Sequence, residues 1–100
     1  MDDWLWTWGG ESFGFRDGDA LFAANGKQVG RFHETEVYGA DGRYLGELGD
    51  TDRLLTRRSR LGRKKSAFAP RVRMARMRRL NRLARLMRIG CQDFPSADEL

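Results

Sequence analysis

The chain has 100 residues, 40% hydrophobic and 33% charged, enough for one domain with a small core. Its single cysteine, Cys91, excludes an internal disulfide and fits a reducing cytoplasm; no apolar run could span a bilayer, and no signal-peptide core follows Met1-Asp2-Asp3. The net charge of +5 is segregated, with four basic against eleven acidic side chains in residues 1–52 and fifteen basic side chains without an acid in residues 53–88, an asymmetry that bears on partners rather than on fold.

From the N-terminus, a 16-residue unit recurs four times. Trp6, Phe22, Tyr38 and Leu54 align, and seven residues on come Phe13, Val29, Leu45 and Leu61, each followed by a glycine. Between the columns lie Gly9-Gly10, Asn25-Gly26 and Asp41-Gly42, with Arg57-Arg58 in the fourth copy. Pairs of the first three kinds tolerate positive φ and suit two-residue hairpin turns. Each unit therefore reads as strand, turn, strand, with Trp6 opposite Phe13, Phe22 opposite Val29, Tyr38 opposite Leu45 and Leu54 opposite Leu61. On the other face Leu5, Leu21, Val37 and Arg53 lie opposite Gly14, Gly30, Gly46 and Gly62, glycines that let a neighbouring backbone approach. Short links at Asp17-Gly18, His33-Glu34 and Gly49-Asp50 imply an antiparallel meander. A pseudo-four-fold ring with the aromatic column inside is the economical arrangement.

The stretches from Trp8 to Asp19, Leu21-Phe22, Asn25-Gly26, Val29 to His33, Val37-Tyr38 and Asp41 to Glu47 resemble the bacterial four-fold β-flower domain proteins, over about Trp4 to Lys65. The resemblance implies the ring of hairpins and carries over no catalytic residue. The fourth unit departs from it, because Arg57-Arg58 replaces the glycine-bearing turn.

Beyond the repeats the chain is basic. Residues 66–90 are expected to hold an amphipathic helix starting near Pro70 and stopping at Gly90. At 100° per residue, Val72, Ala75, Met77, Leu80, Leu83, Ala84, Leu86 and Met87 share one broad face. Arg71, Arg78, Arg82, Arg85 and Arg88 share the other, while Arg73, Arg76 and Arg79 border the stripe. Residues 1–65 are then the repeat domain and 91–100 a flexible acidic tail. The expected fold is mainly β, four tandem hairpin repeats plus one C-terminal basic helix.

The functional expectation is a binding module, not an enzyme. Arg57, Arg58, Arg60, Arg63, Lys64, Lys65, Arg71, Arg78, Arg82, Arg85 and Arg88 form the candidate anion-binding set, with nucleic acid slightly ahead of an acidic membrane or protein surface as partner. The alternative is a protein–protein or self-assembly module, including a homo-oligomer, with the apolar stripe buried on the β domain or on another subunit. No small-molecule substrate, cofactor, metal site or catalytic set is expected. His33 lacks companion ligands, Cys91 lacks a histidine motif, and Asp17, Asp19, Asp41, Asp50 and Asp52 are turn residues. Trp4, Trp6 and Trp8 alternate along the first strand and read as core, or as an interface where one projects.

Overall fold

In the computed structural model, which describes residues 3–100, seven strands run as an antiparallel meander. They are β1 (Trp4–Thr7), β2 (Ser12–Asp17), β3 (Ala20–Ala23), β4 (Gln28–His33), β5 (Glu36–Tyr38), β6 (Tyr44–Leu48) and β7 (Arg53–Arg57). The sheet closes where β7 returns to β1 through Trp6–Arg53 and Thr7–Leu54. A meander with an odd number of strands brings its first and last strands together in the same direction, so this seam is parallel. Closure leaves the barrel-like sheet without a long free edge. A further strand, β8 (Cys91–Asp93), pairs with the other end of β7 through Leu55–Asp93 and Arg57–Cys91.

The turns differ from the expected two-residue form. In each repeat the residues flanking the turn bond across a three-residue loop: Thr7 to Glu11, Ala23 to Lys27, Gly39 to Arg43. The loops are Trp8–Gly10, Ala24–Gly26 and Ala40–Gly42, each closing on a glycine with φ near +90°. One glycine per loop at that position is the signature of a turn followed by a bulge. The two-residue turns sit instead in the links, at Gly18-Asp19 and at Glu34-Thr35, where Glu34 takes a φ of 59°.

The extra residue changes the pairing. Leu5–Gly14, Leu21–Gly30 and Val37–Gly46 face each other as expected, but a bulge follows each time. Trp6 therefore meets Ser12, Phe22 meets Gln28 and Tyr38 meets Tyr44. A one-residue slip moves a side chain to the opposite face. Phe13 and Val29 consequently join Leu5, Leu21 and Val37 inside the barrel, with Leu54 and Phe94 completing that core and Leu45 packing against it. The aromatic column is not inside. Trp6 and Phe22 belong to a separate cluster with Trp4, Phe15 and half-buried Met74. The paired glycines do admit a neighbouring backbone: a Cβ on Gly14, Gly30 or Gly46 would collide with or crowd the carbonyl of Phe22, Tyr38 or Leu55 on the adjoining strand.

The fourth hairpin does not form. A 3₁₀ turn, Arg58–Arg60, follows β7, Leu61 is half exposed, and a Cβ on Gly62 would meet open space. In β7 the columns are exchanged, with Leu54 in the core beside the inner residues and Arg53 paired with Trp6. The terminal stretch 91–100, expected as a flexible acidic tail, supplies β8 and seats Phe94 edge-on against Phe13 at 5.2 Å.

The expected basic helix is absent. Residues 65–88 contain no helix or strand, and run as an extended strap around the outside of the barrel. The reason lies in the spacing of its arginines. Arg73, Arg76, Arg79, Arg82, Arg85 and Arg88 recur every third residue. Three residues of α-helix turn through about 300°, so such a series would wind around a helix rather than keep to one side. A ribbon with three residues per turn keeps them in line. Without an acid to pair with inside the segment, a helix would also concentrate like charge, whereas the barrel offers carboxylates and aromatic faces.

Candidate functional site

The strap reads the repeats in reverse order. The Lys65 N–H donates to the Gly42 carbonyl (2.8 Å), the Met74 N–H to the Gly26 carbonyl (2.9 Å) and the Arg82 N–H to the Gly10 carbonyl (2.8 Å). These are the closing glycines of the three hairpin loops. A Cβ on Gly10 or Gly42 would overlap the strap's backbone at Arg82 or Lys65. The glycines thus serve the turn and admit the strap.

Each repeat's outward aromatic ring is covered by a cation from the strap. Arg82 lies 3.5 Å from the Trp6 ring centroid, Arg71 5.2 Å from Phe22 and Lys65 5.8 Å from Tyr38. Arg76 covers Phe15 at 4.1 Å, and Arg85 and Arg88 lie 5.4 and 4.6 Å from Trp8. Guanidinium groups stack on such faces while their stems fill space.

Carboxylates in the turns and links complete the contact. Asp17 takes Arg71 at 2.8 Å, Asp52 takes Arg82 at 2.6 Å, Asp50 takes Arg85, and Glu11 lies 3.9 Å from Arg78. The Asp50 carboxyl is held below its usual range by the Arg85 hydrogen bond first and by the Thr51 N–H next.

Between residues 80 and 86 the backbone is gripped every third residue. Trp6 Nε1 donates to the Leu80 carbonyl (2.8 Å), Arg53 Nη1 to that of Leu83 (2.8 Å) and Trp8 Nε1 to that of Leu86 (3.0 Å). The intervening Arg85 N–H donates to the Trp8 carbonyl (3.1 Å). Arg53 is buried, which lowers its pKa together with the nearby Arg85 and Arg82 charges. The Ser12 N–H donates to Asn81 Oδ1 (2.8 Å) and fixes the register.

With the arginines against the barrel, the aliphatic residues face away from it. Val72, Met77, Leu80, Leu83, Leu86 and Ile89 are 89–104% exposed. From Met77 onward they too recur every third residue. The segment is amphipathic in the sense opposite to a docked apolar stripe.

The remaining basic candidates gather at another end of the barrel. Glu36 and Glu47 lie directly opposite each other on β5 and β6, an arrangement that repels when unpaired. Arg60 bridges them, at 2.7 Å from Glu47 and 3.4 Å from Glu36, while Arg57 bonds Glu47 at 2.9 Å and Arg63 reaches Glu36 at 3.2 Å. Tyr38 and Tyr44 hydroxyls donate to Glu36 and Glu47 at 2.7 and 2.8 Å. Glu36 is thereby held below its ordinary value of 4.5, chiefly by the Tyr38 hydroxyl and against the opposing effect of burial, with Arg63 and Arg60 adding to it. Burial pushes the Tyr44 hydroxyl up, Glu47 adds to that shift, and the Arg57 N–H opposes it. A polar cleft of about 540 Å³ lies alongside, lined by His33, Glu34, Glu36, Tyr38, Arg63, Lys64 and Lys65.

The structure therefore divides the candidate cations. Arg57, Arg60 and Arg63 serve the Glu36–Glu47 pair, and Arg71, Arg78, Arg82 and Arg85 are matched to turn carboxylates. Arg88 bonds the Gly49 carbonyl at 2.8 Å. Arg58, Lys64 and Lys65 have no carboxylate partner among the described residues. Sequence reasoning missed the receiving side, namely Trp6, Trp8, Arg53 and the closing glycines. Its signal was available: alternate tryptophans, and an arginine where the other repeats carry Leu5, Leu21 and Val37. Among the described residues no cluster of histidine, cysteine and carboxylate side chains could hold a metal, and no helix is long and apolar enough to cross a membrane. Neither a family model, nor a curated protein, nor a solved structure matches this chain.

Proposed function

We propose that this protein is a non-catalytic interaction module that docks on an anionic lipid surface, at the cytoplasmic face of a membrane, through the outer row of its strap. One observation carries the reading: Met77, Leu80, Leu83, Leu86 and Ile89 stand out at full exposure on a segment that contains no acid. Each such side chain gains about 1.5–3 kcal/mol on full burial. Basic residues that hold no carboxylate, Lys64 and Lys65 among them, add about 1 kcal/mol each where they reach an anionic leaflet. The combination of aliphatic projections and excess cations is the chemistry of interfacial binding.

The nucleic-acid reading draws less support from this geometry. Several strap arginines already hold carboxylates, so less counterion release remains for phosphates. The β-flower resemblance stays part of the proposal. Closed hairpin repeats with glycine-bearing loops support it, while the parallel seam and the missing fourth hairpin set this chain apart.

Vesicle sedimentation tests the proposal. Full-length protein should pellet with vesicles containing phosphatidylglycerol and stay in solution with phosphatidylcholine alone. The double variant L83E/L86E should lose at least tenfold in partitioning. Equal pelleting by wild type and variant would overturn the reading. Binding to duplex oligonucleotide without vesicle binding would return weight to nucleic acid. A mass increase without either would select self-assembly.

A further inference from the structure

The inner face of the strap carries a second inference, independent of what its outer row contacts. The barrel treats residues 80–86 as a receptor treats an extended peptide. Three side-chain donors from β1, β7 and the first hairpin loop take three carbonyls spaced by three residues, and two backbone carbonyls, of Gly10 and Trp8, take the N–H groups of Arg82 and Arg85. Recognition of extended, three-residue-per-turn segments generally uses this combination: aromatic walls, an indole N–H on a ligand carbonyl, and side-chain selection at one position per turn. Here the selected side chain is arginine, sandwiched between an indole face and a carboxylate. Arg82 lies between Trp6 and Asp52, and Arg85 between Trp8 and Asp50.

The strap contains more such units than the receptor has donors. Six successive triplets begin with arginine, from Arg73 to Arg88, and in five of them the next residue is Met or Leu; Ile89 completes the sixth. Among the described residues, three of the strap's carbonyls are gripped by side-chain donors. Arg78 on Glu11 and Met87 against Trp8 and Leu55 are out of phase with the triplets, but within residues 80–86 every contact except one would be remade if the strap moved by a triplet, because the partners are backbone groups or arginines. The exception is Asn81, whose side chain meets the Ser12 N–H. Most of the recognition therefore addresses a pattern, an arginine every third residue with its backbone extended.

We propose that the face built from Trp6, Trp8, Arg53, Asp50 and Asp52 is a binding site for extended arginine-rich peptides of this triplet pattern, and that residues 79–88 are its built-in ligand. A segment of the same pattern, whether free or on a second copy of the chain, competes with the strap for that face.

The probe is a fluorescently labelled peptide with the sequence of residues 79–90, compared with a peptide of the same composition whose arginines are contiguous. Wild-type protein, with the face filled, should bind the probe weakly. Full-length R82A/R85A, which retains the receiving face and loses the competing arginines, should bind it at least tenfold more tightly than wild type. It should also prefer the triplet peptide to the scrambled one by a similar factor. Equal binding of the two peptides would reduce the face to general electrostatic attraction and overturn the proposal, as would no binding by the variant. A second measurement uses wild-type protein alone. Excess triplet peptide should speed hydrogen exchange at the Arg82 and Arg85 amides, and unchanged exchange at millimolar peptide would overturn the proposal even if the variant does not fold. Vesicle binding by the outer row is read separately, so either result can fail without the other.

Discussion

Replacing Gly10 by alanine separates two demands that the hairpin loop places on one residue. Gly10 has a φ of 91° and Gly62 a φ of 97°, so both alanine variants incur a similar backbone penalty, about 1–2 kcal/mol. Their surroundings differ. A Cβ on Gly62 enters open space, whereas one on Gly10 overlaps the Arg82 carbonyl. The strap must therefore move. Doing so breaks the Arg82 N–H bond to Gly10 and strains the neighbouring Trp6 bond to Leu80, at about 0.5–1.5 kcal/mol each. Drawing Arg82 off the Trp6 face removes about 0.5–2 kcal/mol more. G10A should thus cost about 2.5–7 kcal/mol against about 1–2 for G62A. Urea unfolding followed by tryptophan fluorescence measures both. Hydrogen exchange locates the difference, with the Arg82 and Arg85 amides exposed in G10A and the β3–β4 amides protected in proportion to global stability. Equal costs for the two variants, or unchanged protection of Arg82 in G10A, would refute the claim that the strap rests on the loop glycine.

Three further outcomes are expected. Arg60→Ala should destabilise by about 2–3 kcal/mol in urea titrations, because Glu36 and Glu47 then face each other without the cation that bridges them, each left with one arginine and one tyrosine hydroxyl; Arg58→Ala should stay within about 0.5 kcal/mol, and similar costs for both would discredit the bridging role. Phe94→Ala should lower stability by about 3–4 kcal/mol, as expected for emptying a buried aromatic site, and a thermal midpoint within 2 °C of wild type, taking about 4–8 °C per kcal/mol for a domain of this size, would show the C-terminal stretch to be dispensable. On acidification, the folded Glu36 and Asp50 carboxyls lie below their ordinary values of 4.5 and 3.8. Their contribution is complete above those values and is lost as pH falls through the lower folded ones. Exchange at Arg85 and tryptophan emission should therefore be flat from pH 7 to about 5 and change below about 4, and a transition centred near pH 6 would contradict this assignment.

How far the fold could be read from the chain depends on which periodicity was used. The 16-residue period identified the repeats, and the glycines opposite Leu5, Leu21 and Val37 sit where spacing placed them. Turn length was hidden, because an Asn-Gly or Asp-Gly pair fits a two-residue turn and the end of a three-residue loop equally well. That single residue decides which face Phe13, Val29 and Leu45 occupy. Ser12 and Gln28, polar residues just before those bulges, were the available sign, since they stand opposite Trp6 and Phe22. In the basic half, the Pro70 and Gly90 boundaries and an apolar face at 100° per residue suggested a helix. The strict three-residue recurrence of arginine contradicted it, as no α-helix holds such a series on one side. The anionic turns and the cationic strap were recognisable as complementary by charge alone, but which side of the strap they would hold was not.

That choice of side follows from what the barrel presents. Its outer surface under the strap consists of indole and phenyl faces beside turn carboxylates, positioned by the hairpins. Leucine could cover the rings but would leave Asp50 and Asp52 without partners, whereas arginine covers a ring with its planar head and reaches a carboxylate at once. The consequence is that the aliphatic side of the strap is left in water. Five side chains from Met77 to Ile89 forfeit about 1.5–3 kcal/mol each relative to burial, a total comparable with the whole stability of a small domain. Serine or lysine at those positions would leave the inner contacts untouched, because the barrel grips residues 80, 83 and 86 through their carbonyls and not their side chains. Folding of the barrel therefore does not require aliphatic residues there. Their recurrence at every third position is what the proposed docking on a lipid surface rests on, since a surface that takes up aliphatic side chains between cations would bury them.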